Sequence, residues 1–249
     1  MLLAIDIGNS QVKCGIFDHE NLVSKISIPT SRDITSDALA SLLSDKITWP
    51  IDAAIISSVV PEVDGAFREF VIAGFNLAPI FVNHELDLGL KINYQPPGDV
   101  GADRLVNAFA ATEKYGAPCI VCSFGTATVT DVVNASREFV GGLIAPGIKT
   151  LAAALKLTTS KLPEVNIEKP DNVVQNTTVG AIRSGVVHGY FALVEGLIAG
   201  VKKESGSELK VIATGGFAQM IAENTDQIDV VDKDLTLEGL RRLYARIHA

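Results

Sequence analysis

The chain is poor in the features that secreted, membrane-spanning and nucleic-acid-binding proteins depend on. Its three cysteines, Cys14, Cys119 and Cys122, cannot all pair, and so sparse and odd a number fits a reducing compartment better than a disulfide framework. Cys119 and Cys122 spell C-x-x-C, but they lie in the apolar run PCIVCSF, which reads as a strand. Positions three apart on a strand face opposite sides, so buried structural cysteines are expected rather than a zinc or redox pair. Basic residues are outnumbered, 21 Lys and Arg against 29 Asp and Glu, and no basic patch stands out. A net charge of −8 opposes a polyanionic partner such as nucleic acid or an anionic membrane. No uninterrupted apolar run is long enough to cross a membrane, and the opening MLLAIDIGN reaches Asp6 too early for a signal sequence. The expectation is a cytoplasmic protein. The four histidines, His19, His84, His188 and His248, show no metal-ligand spacing. No low-complexity linker divides the chain, which favours two lobes over independently mobile domains.

What is present is a globular composition, 47% hydrophobic and 20% charged, with a mean hydropathy of +0.30 that leaves room for apolar surface buried between subunits. The stretch LLAIDIGNSQVKCGIFDHENLVSKISI reads as three antiparallel strands separated by turn residues at Gly8-Asn9-Ser10 and His19-Glu20-Asn21. Leu39, Leu42 and Leu43 suit an amphipathic helix between Ser36 and Lys46, DAAIISSVV a buried strand, and Pro61 the first turn of another helix. NYQPPGD excludes regular structure and makes a loop able to carry specificity. ADRLVNAFAATEKY, residues 102–115, reads as a helix with Asp103 and Arg104 in its first turn.

The opening pattern then recurs. Residues 117–124 and 129–133 again give strand, glycine turn and strand, and 139–145 supply a third strand. Setting IDIGNSQVK against CSFGTATVT aligns Gly8 with Gly125 and Val12 with Val129, and places Asp6 opposite Ser123. Helices follow Pro146 and open at Asn176-Thr177-Thr178, a strand LKVIAT ends at Gly215-Gly216, and 237–248 read as a closing helix. The expected fold is α/β, two duplicated lobes that resemble the actin-like (ribonuclease H-like) fold, each a mixed sheet flanked by helices. Their expected bounds are 1–115 and 116–249.

A short glycine turn between two buried strands makes an anion cradle, because backbone N–H groups at its tip point outward and glycine lets a phosphate approach. In the first hairpin Asp6 suits Mg²⁺ or its waters, and Asn9, Ser10 and Lys13 suit phosphate oxygens. The second tip, Gly125-Thr126-Ala127-Thr128, is expected to close over the same phosphates. Gly215-Gly216 permits close backbone approach to a flat base.

The chain resembles the type III pantothenate kinases from end to end. The resemblance rests on DIGNS, SSVVP at 57–61, YQPPGDVGADR at 94–104, FGTATVTD at 124–131, GGLIAPG at 141–147, NTTVGAIRSGVVHGY at 176–190 and ATGGFA at 213–218. It implies an ATP-dependent phosphorylation of pantothenate, the first step of coenzyme A biosynthesis, by a cytoplasmic homodimer that uses Mg²⁺ and a monovalent cation, K⁺ or NH₄⁺. It makes Asp6, Ile7, Gly8, Asn9, Ser10, Gln11, Val12 and Lys13 the nucleotide-phosphate segment, with Thr126 a further ATP contact. Gly101, Ala102, Asp103 and Arg104, with Tyr94 and Thr178, would hold pantothenate, and Asp103 would take the proton of its attacking hydroxyl. One position departs from the pattern: members generally carry Asp where this chain has Ser123, and that Asp is assigned to potassium. A hydroxyl coordinates as a neutral oxygen without Coulomb attraction, so weakened cation dependence is expected. The alternative is a catalytically impaired relative that acts as a binding or regulatory protein.

Overall fold

Alternating apolar residues and tight turns fold the first 29 residues into an antiparallel meander of β1 (Leu2–Ile7), β2 (Gln11–Asp18) and β3 (Asn21–Pro29). The computed structural model describes residues 1–206 and 208–249. Helix α1 (Ser36–Leu43) returns the chain to β4 (Ala53–Ser58), which lies parallel to β1. Helix α2 (Pro61–Phe75) begins on its proline, whose missing N–H costs nothing there. It ends at Asn76, left-handed at φ 56°, whose N–H donates to the Ile72 carbonyl. The short strands β5 (Ile80–Phe81) and β6 (Lys91–Ile92) lead to helix α3 (Ala102–Tyr115). NYQPPGD is not wholly irregular, because Pro97–Asp99 makes one 3₁₀ turn.

The first sheet runs β3-β2-β1-β4-β5. With side chains alternating across a strand, Leu3, Ile5 and Ile7 join Val12, Cys14, Ile16, Ala54 and Ile56 in one core with Leu39, Leu43, Val63, Phe67 and Phe70 of α1 and α2. Each buried Val, Leu, Ile or Phe among them contributes roughly 1.5–3 kcal/mol. Asp6, Lys13 and Ser57 take the alternate positions. They are lateral partners on three neighbouring strands, so they make a polar row across the opposite face.

The second set of strands repeats this plan. β7 (Cys119–Phe124), β8 (Ala127–Val133) and β9 (Glu138–Pro146) form an antiparallel meander. After α4 (Ile148–Thr158) and α5 (Thr178–Ser205), β10 (Lys210–Thr214) lies parallel to β7. Helix α6 (Ala218–Ala222) and strand β11 (Val230–Val231) follow, giving the order β9-β8-β7-β10-β11. Ile120, Cys122 and Phe124 share a core with α4 and α5. Helix α5 is long and apolar enough to span a membrane by length and composition, which amends the expectation that no such segment exists. Its stripe of Ile182, Val186, Tyr190, Val194 and Ile198 packs into this core. All three cysteines are buried and free, and burial pushes the thiols of Cys14 and Cys122 up to about 12.

One compact unit comprises residues 1–114 and 234–249, the other 115–233. The tail therefore departs from the expected 116–249 lobe: α7 (Leu235–Ile247) packs on β1, β2 and β4 of the first unit. Leu237, Leu240 and Leu243 make its buried stripe. Gly239 makes close approach to α3 possible, since a Cβ there would come within 2.8 Å of both Ala110 and Val106.

Candidate active site

In the first unit, the chain turns at Gly8 with its N–H donating to the Gln11 carbonyl, 3.0 Å. Thr30 braces this tip: its hydroxyl donates to the Gly8 carbonyl at 2.6 Å and its N–H to the Ser10 carbonyl at 3.1 Å. With those groups held, Asn9, Ser10 and Gln11 stand exposed at the turn. Directly behind them lies the row of Lys13, Asp6 and Ser57.

Asp6 is buried, and burial is the main reason its carboxyl is pushed up to about 7. The Asp103 carboxylate raises it further, while Lys13 and Ser57 oppose the shift. The Ser57 hydroxyl is close enough to favour the charged form without reaching ordinary hydrogen-bond geometry. Asp103 is also raised, by burial, against the Arg104 N–H that donates to its Oδ1 at 2.8 Å and the Arg104 charge. A buried Asp6 whose ionisation is opposed by the half-buried Asp103 is an arrangement that a divalent cation relieves, and the residues fit Mg²⁺ in that sense. Among the described residues no group of three or more His, Cys, Asp or Glu is placed to hold a metal.

Helix α3 carries Asp103 because its first turn is anchored on Gly101, whose carbonyl accepts from the N–H groups of Arg104 and Leu105 at 3.1 and 3.2 Å. Glycine leaves the carboxyl its place there: a Cβ would stand 2.8 Å from Asp103 Oδ1 and 3.2 Å from Val59 Cγ1, so one or the other would have to shift. The start of α7 secures the helix further along, where the Thr236 hydroxyl donates to Asn107 Oδ1 at 2.8 Å. Arg104 is buried with its guanidinium 5.4 Å above the Tyr94 ring, so the loop and the helix share one cationic, aromatic corner.

In the second unit, the Gly125 N–H donates to the Ala127 carbonyl at 3.0 Å, so this turn is one residue shorter than the Gly8 turn. The register follows: Lys13 is the partner of Asp6, and Val129 of Ser123. Val129 therefore corresponds to Lys13 and not to Val12, as the alignment of the two segments had it. The row equivalent to Lys13, Asp6 and Ser57 is Val129, Ser123 and Thr214. Both charges of the first row are absent from the second. Gly215, at φ +95°, packs on the Phe124 backbone, where a Cβ would meet the carbonyl oxygen at 2.6 Å. Gly216 has open space in the same sense.

The expected residues thus fall into groups. Asp6, Lys13, Tyr94, Gly101, Ala102, Asp103 and Arg104 belong to the first unit, together with the Gly8 tip. Ile7 and Val12 are buried strand partners that set the width of that tip. Thr126, Ser123, Gly215 and Gly216 belong to the second unit, and Thr178 stands exposed at the start of α5 behind its capping residue Thr177. Ser57 and Thr30 were missed by sequence reasoning. SSVVP contained the signal for Ser57, but only the parallel β1–β4 register shows that it stands beside Asp6.

Two meanders ordered 3-2-1-4-5, each with a glycine tip, define the actin-like class of phosphotransferases and ATPases. Among solved structures, the activator of the 2-hydroxyisocaproyl-CoA dehydratase from Clostridium difficile, with ADPNP bound, shares this fold with a TM-score of 0.54 and 14% identity, over 98% of this chain and 93% of that one. The chain belongs to the type III pantothenate kinase family, whose model matches residues 2–200. It is 40% identical to the type III pantothenate kinase of Agathobacter rectalis over 99% of its own length and 97% of the relative's. It is 41% identical to that of Roseiflexus sp. over 98% of both.

Proposed function

We propose that the chain transfers the γ-phosphoryl group of ATP to the hydroxyl of pantothenate, giving 4′-phosphopantothenate in the first step of coenzyme A biosynthesis. The observation that carries this reading is the pair of acids with raised pKa, buried Asp6 behind a glycine phosphate turn and half-buried Asp103 at the head of α3, within a chain about 40% identical to kinases of that name over nearly its full length. Phosphoryl transfer asks a protein chiefly for in-line positioning and charge neutralisation.

Asn9, Ser10 and Lys13 hold the phosphates with the N–H groups of the Gly8 turn. Asp6 would hold Mg²⁺ or its waters, and the ion, when bound, would neutralise charge on the transferred group. Asp103 accepts the proton of the attacking hydroxyl, a role its raised pKa favours by making the carboxylate a stronger base. Arg104 and Tyr94, with Gly101, Ala102 and Thr178, hold the acceptor. In the second unit, Thr126 and Gly215-Gly216 are nucleotide-binding residues, Thr126 for the phosphates and the glycines for the base.

A neutral second row supports weakened use of a monovalent cation, because Ser123 supplies an oxygen without charge. The chain acts in the cytoplasm as a homodimer and takes neither nucleic acid nor membrane as partner, in keeping with its net charge of −8. A binding or regulatory protein derived from a lost enzyme is not favoured: Asp6, Lys13, Asp103 and Arg104 are all present. Mass spectrometry of a reaction with MgATP and pantothenate tests the proposal. A phosphorylated pantothenate that accumulates with time is expected, and ATP hydrolysis indifferent to pantothenate would refute it.

A further inference from the structure

The Gly125–Thr126 turn is held by side chains that no phosphate contact explains. On one side, the Thr126 carbonyl accepts twice, from the Gly147 N–H at 3.0 Å and from the Thr150 hydroxyl at 2.7 Å. Both lone pairs of that oxygen are engaged, so the planar peptide between Thr126 and Ala127 has its orientation fixed by the first turn of α4. Gly147 brings α4 this close, for a Cβ there would lie 2.3 Å from the Gly125 carbonyl oxygen.

On the buried side, Phe124 enters the turn and its register partner Thr128 leaves it. Tyr190 of α5 touches both. Its ring meets Phe124 edge-on at 6.5 Å between centroids, and its hydroxyl lies 2.5 Å from the Thr128 hydroxyl. Thr128 gives its one proton to the Pro146 carbonyl at 3.2 Å, so Tyr190 is the donor and Thr128 the acceptor. Tyr190 is 1% exposed, and burial raises its hydroxyl to about 12, so it stays a donor at any working pH. A single hydroxyl sunk into an apolar core is costly unless it is bonded, and here its bond is spent on the base of the turn.

We propose that Tyr190 and Thr150 are positioning residues for the nucleotide, fixing from α5 and α4 the turn that presents Thr126 to ATP. This rests on the reading of that turn as a phosphate cradle, deepens it, and is independent of which alcohol is the acceptor. Loss of either hydroxyl lets the turn drift, and displacements of about 1 Å at such sites are costly even when the altered residue never meets the ligand.

The test is MgATP affinity measured by calorimetry without any acceptor, on the unaltered protein, Tyr190→Phe, Thr150→Val and Thr150→Ser. The expected result is a Kd raised about 5- to 10-fold in Tyr190→Phe and Thr150→Val, with Thr150→Ser within about twofold of the parent and the KM for pantothenate unchanged throughout. A purely structural role would lower Tm and leave Kd alone. Folded Tyr190→Phe and Thr150→Val proteins that bind MgATP as tightly as the parent would therefore overturn the inference. If Tyr190→Phe does not fold, Thr150→Val, on an exposed helical turn, decides alone. A parent that binds MgATP but ignores pantothenate would sink the acceptor assignment and leave this inference standing, whereas a parent that binds no MgATP would sink both.

Discussion

Single residues set the chemistry, and the Asp6 carboxyl carries the largest electrostatic burden. Held near 7 in the fold against 3.8 in an unfolded chain, it retains a proton between those values that the unfolded state has released. Acid therefore favours the fold over this window: stability falls as pH rises from about 4 to 7 in metal-free protein. A melting series should show Tm lower at pH 7.5 than at pH 5, with each kcal/mol worth about 2–4 °C in a chain of this length. Asp6→Asn should flatten that slope, and Mg²⁺ with ATP should raise Tm more at pH 7.5 than at pH 5. A parent Tm that climbs steadily over this range would argue against a raised pKa at Asp6. Gly101 offers a second test. The methyl group of Gly101→Ala would come within 2.8 Å of Asp103 Oδ1 and push the carboxyl aside, so kcat should fall about 10-fold or more while ATP affinity holds. An alanine variant with parental kcat would show that the carboxyl need not stand where it does.

At the scale of elements, the two meanders are one plan with different charges. The Lys13, Asp6 and Ser57 row can grip a metal and a phosphate; the Val129, Ser123 and Thr214 row offers hydroxyls alone. Turnover in potassium, ammonium and sodium buffers should accordingly differ little, and Ser123→Asp should confer potassium activation by restoring a carboxylate beside Thr214. Strong potassium dependence of the unaltered protein would contradict this. The hairpins were legible in the sequence because glycine between two apolar runs has few other uses. Their one-residue difference in length was not, since matching Val12 to Val129 satisfies the letters equally well. Only the hydrogen bonds, Gly8 to Gln11 against Gly125 to Ala127, settle which residue faces Asp6 and which faces Ser123. Likewise Tyr190 reads as one more core aromatic in α5 until its hydroxyl is seen on Thr128.

For the whole molecule, periodicity located the long strands and helices but not the ownership of the tail. Leu237, Leu240 and Leu243 announce a helix with one apolar stripe, and a stripe says nothing of which sheet it covers. Closure of α7 onto β1, β2 and β4 makes the first unit discontinuous in sequence. It also ties the head of α7 to α3 through Thr236 and Asn107, and so supports the element that carries Asp103. The two-residue strands β5, β6 and β11 were invisible because so short a run has no period. Asp103 itself was legible only through the motif around it, since an acid in a first helical turn is ordinarily explained by the helix dipole. The account as a whole requires that Asp103 act on an acceptor hydroxyl. The most direct measurement is pantothenate-dependent ADP release by the unaltered protein and by Asp103→Asn. The account predicts turnover that depends on pantothenate and falls on the order of 10² to 10⁴ in the variant, with MgATP affinity nearly intact. An Asp103→Asn protein that turns over pantothenate at the parental rate would contradict it.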